Sequence, residues 1–539
     1  MQIKKVKIKN FKIYKDFSFE FKDGINLVVG NNESGKSTLL EAIHLTLTGV
    51  INGKYLKNEL SQYLFNRERV LEYLVDIRAG SKKLPPQILI EVYFGTAEHP
   101  MFKGKYNSDH MDDYGVALQI AFDNNYHESY MALIESRDLT TLPIEYYKIE
   151  FIAFSREVVL PRNIPLKSVL IDSVSNRYQN GSDIYIARII QDDLEDKEKV
   201  GLSQDYRKLK QNFIESSHIK EINKKIADKR VSDKKLHISI DLESQNAWES
   251  ILVTYFDNIP FHYAGKGEQC IIKTNLAMQH KHSQNANLIL LEEPECHLSH
   301  TKLNQLLKQI SENCESKQII ITTHSSFVAN KLGLKNITLI NEQRTASFAD
   351  LTTETYNFFK KLAGYDTLRL MFCKKAVLVE GDSDELIFQK AYMIQHEGRL
   401  PIEDGIDVIS VGLSFKRFLE VAQKIQKPVA VITDNDGDYQ QNIIRKYEEY
   451  RADAKIEIFA DNNNSLRTLE PQIVNANNSC LNALKTVLGL NTGEYGDKQE
   501  LINYMTRNKT KCALKIFESS ESLIFPTYIK QAVGWCNEQ

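Results

Sequence analysis

Seven cysteines in 539 residues, with no Cys-x-x-Cys pair and several set in apolar runs, supply neither the spacing of a zinc site nor a disulfide framework. A reducing compartment is expected. No apolar stretch approaches membrane-spanning length, and Met1-Gln2-Ile3-Lys4-Lys5 opens directly into an alternating strand rather than a signal peptide. The expectation is a soluble cytoplasmic protein with no membrane partner. An excess of positive charge is also missing, since Lys and Arg number 68 against 71 Asp and Glu, for a formal charge of −3. That excludes a polycation binding nucleic acid over its whole surface; contact must come from local patches such as Lys498, Arg507, Lys509, Lys511 and Lys515. Internal repeats, low-complexity tracts and long heptad arms are absent too. The length exceeds one ordinary core and implies two or three domains.

Against these absences stands one dense motif. Gly30-Asn31-Asn32-Glu33-Ser34-Gly35-Lys36-Ser37-Thr38 follows the apolar run Ile25–Val29 and precedes the helix-like Leu39–Ile43. A phosphate-binding loop needs that context, because its backbone N–H groups must curl around phosphate oxygens while the next helix points its positive end at the same charge. Lys36 is placed to reach the β and γ phosphates and Ser37 to ligate Mg²⁺, with Gly30 and Gly35 allowing close backbone approach. The chain is expected to bind a nucleoside triphosphate.

The rest of a nucleotide site lies far along the chain. Leu288–Leu291 reads as a buried strand and is followed at once by Glu292 and Glu293. Adjacent carboxylates at a strand end suit a division of labour, Glu292 in the Mg²⁺ shell and Glu293 polarising the attacking water. Gln318–Thr323 is a further strand ending at His324, where an imidazole can hydrogen-bond a γ-phosphate. Upstream, Tyr263–Gln269 is a second glycine-rich turn before a helical stretch. Singly, a histidine after a strand and a Gly-Lys-Gly turn are ordinary features. In this order the segments resemble an ABC-type ATPase head, with phosphate loop, signature, acidic strand and switch histidine. The resemblance implies that ATP is sandwiched between two heads, with Gly265, Gly267 and Gln269 of one signature covering the nucleotide of another. Two departures stand out: Glu292-Glu293 replaces the usual Asp-Glu, and Ala264-Gly265 stand near the place of the signature serine. Slow or activator-dependent hydrolysis is the expected result.

A second chemical centre begins at Ala376. The apolar run Ala376–Val379 ends in Glu380-Gly381-Asp382-Ser383-Asp384, and Pro428–Thr433 ends in Asp434-Asn435-Asp436. Carboxylates at the C-terminal ends of parallel strands converge on one sheet edge, where α/β folds place their sites. Such a cluster repels itself unless a divalent metal neutralises it. Glu at one strand end and Asp-x-Asp at another resemble a Toprim domain, the metal-dependent fold of topoisomerases, primases and certain nucleases; acidic loops alone are usually solvated turns.

An ABC head followed by a Toprim domain resembles the OLD (overcoming lysogenization defect) family of nucleases, the group that includes Gabija nuclease-ATPases and retron-associated effectors of anti-phage defence. Leu84–Phe94 is similar to an early strand of the ATPase sheet in that family, Thr468-Leu469-Glu470-Pro471 to its late acidic motif and Asn508–Leu514 to its terminal basic motif. The resemblance implies Glu380 and Asp384 as ligands of one metal and Asp434, Asp436 and Glu470 as completing a two-metal cluster, with Mg²⁺ the ion and Mn²⁺ a substitute. It implies Lys509 beside the scissile phosphate, with Lys511 as rival. The bland reading of Glu470 is an acidic residue before proline that merely ends a strand.

The expected architecture is α/β. An ABC-type head spans 1–345 with a largely helical insertion at about 165–245, a helical connector spans 346–373 and a Toprim domain spans 374–539. The insertion carries Leu209, Phe213, Ile214, Ile219, Ile222 and Ile226 near helical spacing; it either packs on its own head or, as the family implies, joins subunits. The expected activity is ATP-regulated, Mg²⁺-dependent endonucleolytic cleavage of nucleic acid, DNA favoured, in anti-phage defence. Partners implied are further copies of the chain, as dimer or tetramer through the heads, and a helicase or a reverse transcriptase with its RNA–DNA product. The rivals are a toxin-like ribonuclease cutting tRNA, an SMC-like repair ATPase, and a sensor whose Toprim module does not cleave.

Overall fold

The structure is a computed structural model, and it describes residues 1–95, 99–135, 139–172, 178–179, 182–183, 194–227, 237–239, 254–279, 288–312, 317–341, 344–347, 351–361, 365–491 and 495–537. Parts of the expected insertion and of the expected connector lie outside these residues. The chain forms two compact units, one of residues 1–28 and 35–323 and the other of residues 29–34 and 324–539.

In the first unit, β1 (Ile3–Phe11) and β2 (Tyr14–Glu20) pair antiparallel, and β4 (Ile88–Phe94), β5 (Asp113–Phe122) and β6 (Tyr147–Ala153) extend the sheet in the order β2-β1-β4-β5-β6. Alternation in β1 buries Ile3, Val6, Ile8 and Phe11 on the core side. The strand expected from Leu84 begins at Ile88; Pro85 and Pro86 lack the N–H groups a sheet ladder needs.

A second sheet of this unit runs β7 (Ser168–Asp172), β8 (Leu288–Glu292), β9 (Gln318–Thr323) and β3 (Ile25–Val29), with β7, β8 and β9 parallel. These strands are continuous apolar runs because both faces are covered. Gln318 is fully buried: its amide donates to Ile3 O at 2.9 Å and Lys22 O at 3.0 Å and accepts from Ile3 N–H at 2.8 Å, tying β9 to β1. Of the largely helical insertion expected at about 165–245, Ser168–Asp172 is instead β7 of this core sheet and Tyr178–Gln179 pairs with Ser182–Asp183, while α2 (Asp196–Ile214) and α3 (Ser217–Ala227) are helical and leave Leu209, Phe213 and Ile222 exposed.

The second unit contains the hairpin β10 (Ile337–Asn341) and β11 (Arg344–Ser347), then α6 (Thr353–Lys361) and α7 (Tyr365–Phe372) where a helical connector was expected. Thr352 and Thr355 hydroxyls donate to Glu420, and the Arg369 guanidinium forks onto Asp407 at 2.6 and 3.0 Å. Beyond them lies a parallel sheet in the order β13-β12-β14-β15, where β12 is Lys375–Val379, β13 Ile406–Ser410, β14 Val429–Ile432 and β15 Ile456–Phe459. Between β13 and β14, α9 (Phe415–Ile425) buries Phe415, Phe418, Leu419, Ala422 and Ile425, the i, i+3, i+4 stripe of a helix on a sheet. The opposite core joins Val377, Ile432, Phe388 and Ile387 of α8 (Asp382–Gln395), Ile473 of α10 (Leu469–Ala476), Ile516 of α12 (Lys509–Glu518) and Tyr528 of α13 (Thr527–Asn537). Among the described residues no helix is long and apolar enough to cross a membrane.

Candidate active site

The phosphate loop takes its shape from its glycines. Gly35 sits at φ 99 as the residue before α1 (Lys36–Thr48), and a Cβ there would fall 2.5 Å from the Tyr14 hydroxyl, which donates to Gly35 O at 3.0 Å. A Cβ on Gly30 would meet Ile340 O at 2.5 Å and Ser34 Oγ at 2.6 Å. Glu33 is also left-handed, at φ 65, and the Ser34 N–H closes a turn onto Asn31 O at 3.2 Å. Asn32, Glu33 and Ser37 are exposed, whereas Asn31, Ser34 and Thr38 are half-buried. Ser34 Oγ is buried without a hydrogen-bond partner. An orphaned hydroxyl in a loop that rejects side chains at both glycines fits a phosphate cradle.

Lys36 is almost fully buried, and burial lowers its ammonium to about 8 against the pull of Glu293, Glu292 and Glu295. The structure thus brings Lys36 and the carboxylates after β8 together. Glu293 is held at φ 43 by its N–H bond to Thr322 O at 2.9 Å, and Thr323 Oγ1 donates to Glu295 at 2.6 Å. The glycine-rich turn enters α4 (Lys266–Gln279): Gly267 packs on the chain at His297, where a Cβ would fall 2.3 Å from the carbonyl, while Gly265 faces open space. Gln269 is buried and donates to Phe261 O at 3.1 Å and Ala264 O at 2.8 Å, so its amide shapes the turn. His324 belongs to the second unit, with its ring 6.3 Å from that of Phe372.

The carboxylate cluster forms at the C-terminal edge of the β13-β12-β14-β15 sheet. Glu380 directly follows β12, and its carbonyl is fixed by Gly412 N–H at 3.1 Å. Asp384 stands in the first turn of α8 and reaches back to accept from Gly381 N–H at 3.1 Å, the return half of a capping box. Asp434 lies just beyond β14, and Asp436 takes a left-handed φ of 49. Glu470 belongs to the first turn of α10 rather than to a strand end, with Pro471 beside it where no intrahelical donor is needed. Its side chain is 5% exposed, accepts from Thr468 Oγ1 at 2.9 Å and pairs with Lys509 Nζ at 3.4 Å. Lys509 opens α12; Lys511 is exposed.

Electrostatics bind these residues into one site. Burial and then Glu380 push the Asp384 carboxyl up to about 7; burial, Asp384, Glu380, Glu470 and Asp436 push Asp434 up to about 8. Glu380 is raised by burial and Asp436 and eased by Lys509 and Lys446. Uncompensated negative charge of this kind is the mark of a cation or proton site.

Residues 5–369 match the AAA domain family, and residues 371–436 match the family described as overcoming lysogenization defect protein-like, TOPRIM domain. The chain belongs to the OLD-like ATPase–Toprim family. Its ATPase head is of the ABC type and its Toprim domain is C-terminal. Endonuclease GajA of Bacillus cereus (strain VD045) is a distant homologue, 23% identical over 470 residues, 81% of this chain and 75% of that one. Among solved structures, the C-terminal region of the Burkholderia pseudomallei OLD protein is 20% identical, covering 31% of this chain and 97% of that chain at a TM-score of 0.25. The SmcHead bound to the C-winged helix domain of ScpA is 17% identical, covering 65% and 99% at a TM-score of 0.32.

For an OLD-like Toprim domain the donor set is apt: hard carboxylate oxygens suit Mg²⁺ or Mn²⁺. Among the described residues no three His, Cys, Asp or Glu side chains already stand in closed ligand geometry. The fit rests on the donors' chemistry and mutual repulsion.

Several residues of this site escaped the sequence reading. Asn435, between the paired aspartates, is wholly buried and donates to Asp461 O, Asn463 O and Leu466 O at 2.8, 3.0 and 3.2 Å, while its Oδ1 accepts from Gly437 N–H at 2.8 Å. Tyr528 donates to Gln472 at 2.6 Å, and Gln472 in turn to Leu466 O at 3.0 Å, bracing the same loop from behind. Lys446 ends the π-helical segment Gln440–Arg445. Arg467 receives Asp436 N–H on its carbonyl at 3.2 Å. The only available signal was Asn435 itself, the middle residue of the Asp-x-Asp run.

Proposed function

We propose that this protein is an ATP-regulated, Mg²⁺-dependent endonuclease that cuts DNA in anti-phage defence. The observation that carries the reading is the gathering of half-buried Glu380, Asp384 and Asp434, whose carboxyls are raised by burial and by one another, beside buried Glu470 with its Lys509 partner. Glu380 and Asp384 would hold one divalent ion and Asp434, Asp436 and Glu470 a second. Bound metal supplies an activated water and neutralises charge on the phosphate in flight. The chain's own work is to aim these carboxylates through the Gly381 and Asn435 bonds. Lys509, half-exposed, offers a donor to a non-bridging phosphate oxygen.

In the head, Lys36 and Ser37 would hold the ATP phosphates and their Mg²⁺, Glu292 would complete that ion's shell, and Glu293 would orient water. Gly265, Gly267, Gln269 and His324 would complete the site when two heads pair. The exposed apolar residues of α2 and α3 support association between copies. Nucleotide state would then govern access to the Toprim centre. The relation to Endonuclease GajA supports endonucleolytic cleavage.

The test is to incubate purified protein with supercoiled plasmid, linear duplex and tRNA in Mg²⁺, with and without ATP, beside Asp434→Ala and Lys36→Ala. DNA cleavage lost in Asp434→Ala and altered by ATP only when Lys36 is present is the expected result. Cutting of tRNA alone would move the protein to the ribonucleases, and cleavage unaffected by Asp434→Ala would overturn the site.

A further inference from the structure

The carboxylate cluster is negative, and so is any polynucleotide laid on it, so a strand must be gripped by cations flanking the cluster. Lys509, paired with Glu470, faces the scissile phosphate in the reading above and leaves the flanking strand to other cations. Two other cations stand at the same sheet edge, Lys446 in the segment after β14 and Arg467 in the loop after β15.

Arginine beside carboxylates ordinarily forms a forked ion pair. Among the described residues Arg467 forms none, and its side chain is exposed. It lies across Gly437: a Cβ built there would fall 3.0 Å from Nε and 3.3 Å from Cδ. Gly437 requires glycine for its φ of 87, and the Arg467 side chain lies over it. The backbone beneath that arginine is fixed from both sides, by Asp436 N–H onto Arg467 O and by Asn435 and Gln472 onto Leu466 O. An exposed, unpaired guanidinium on a fixed stretch of backbone, lying over the residue after Asp436, is available to an anion that arrives from outside. Lys446 is similar. Its Nζ rests 5.3 Å over the Tyr447 ring, makes no ion pair among the described residues, and is near enough to Glu380 to act on its charge. The exposed loop before Arg467, Asn462-Asn463-Asn464-Ser465, is uncharged and repels no phosphate.

We propose that Arg467 and Lys446 clamp the sugar–phosphate backbone of the DNA strand that the cluster cuts, on the β14–β15 side of the site. The inference rests on the nuclease reading of the same carboxylates and adds to it where the substrate runs.

The test is fluorescence anisotropy of a labelled duplex oligonucleotide in Ca²⁺, across a salt series, followed by cleavage kinetics in Mg²⁺. Arg467→Ala and Lys446→Ala should each weaken binding roughly three- to tenfold and lower the slope of log affinity against log salt by about one, with the double variant near two. KM should rise while kcat at saturating DNA changes little, and Arg467→Lys should keep the slope. Unchanged slopes in both single variants would overturn the clamp, as would a fall in kcat with KM and slope intact, which is what loosening of the carboxylates alone would produce. If the variants lose affinity and slope as expected yet the wild type cuts nothing, the nuclease reading fails and Arg467 and Lys446 remain only as a DNA-backbone-binding pair. If it binds no duplex, the clamp falls, and the cleavage assay judges the carboxylates separately.

Discussion

The Asn435 side-chain amide donates to the main-chain carbonyl of Asp461 at 2.8 Å, across the gap between the loops at the ends of β14 and β15. The same nitrogen serves Asn463 and Leu466, so one buried group holds the loop opposite the paired aspartates. Asn435→Ala strands those carbonyls and should cost about 2 kcal/mol of stability, within the range for unpaired buried polar groups. Asn435→Asp should be no milder, since it aims an acceptor at three acceptors. Urea unfolding gives the first quantity. The Mg²⁺ concentration for half-maximal cleavage should rise in both variants.

Lys36 is a cation buried for a ligand. With its ammonium lowered to about 8, the apo protein bears a charge it would be more stable without. Lys36→Met should therefore raise apo stability by about 1–3 kcal/mol while abolishing stabilisation by ATP. Thermal unfolding with and without nucleotide checks both halves. A variant that is less stable in the absence of ATP would contradict the burial argument.

Gly35→Ala places a methyl where the Tyr14 ring already stands and keeps φ at 99. Strain of roughly 1–3 kcal/mol is expected, relieved by opening the loop. ATP affinity measured by titration calorimetry should drop at least tenfold.

Asp109 reports on acid stability. Lys5, at 2.9 Å, and Lys7 hold its carboxyl down to about 2, below its unfolded value near 4. A depressed folded pKa gives stability that is present above pH 4 and is lost as pH falls from about 4 to 2. Because the group is partly solvated, the gain is about 1 kcal/mol. Asp109→Asn should lower the urea midpoint at pH 7, and its difference from wild type should shrink progressively below pH 4.

Lys509→Ala should reduce kcat on the order of a hundredfold, the scale for losing one preorganised donor at a developing charge. The loss should exceed that of Lys511→Ala. Single-turnover cleavage separates this from weaker binding.

The sheets are legible in the sequence because parallel strands covered on both faces must be apolar throughout, as Leu288–Leu291, Ala376–Val379 and Val429–Ile432 are. The phosphate loop is legible because its glycines are steric requirements. Glu470 is legible as part of a motif but its helical setting is not, since Pro471 suits both a strand end and a first helical turn. Asn435, Lys446 and Arg467 are illegible for another reason: each gains its meaning from a loop distant in sequence, and no local pattern encodes that meeting.

The π-helical turn that precedes Lys446 has its own consequence. Lys446 N–H bonds to Gln441 O, five residues back, at 3.2 Å. Such a turn holds one residue more than an α-helical turn. Deleting any single residue within Gln440–Arg445 would let the segment relax to an ordinary helix and swing Lys446 about the helix axis by about 100°. The lysine beside Glu380 is thus set by a count of residues as much as by their kinds, and this stretch should accept exchanges of side chain far more readily than changes of length.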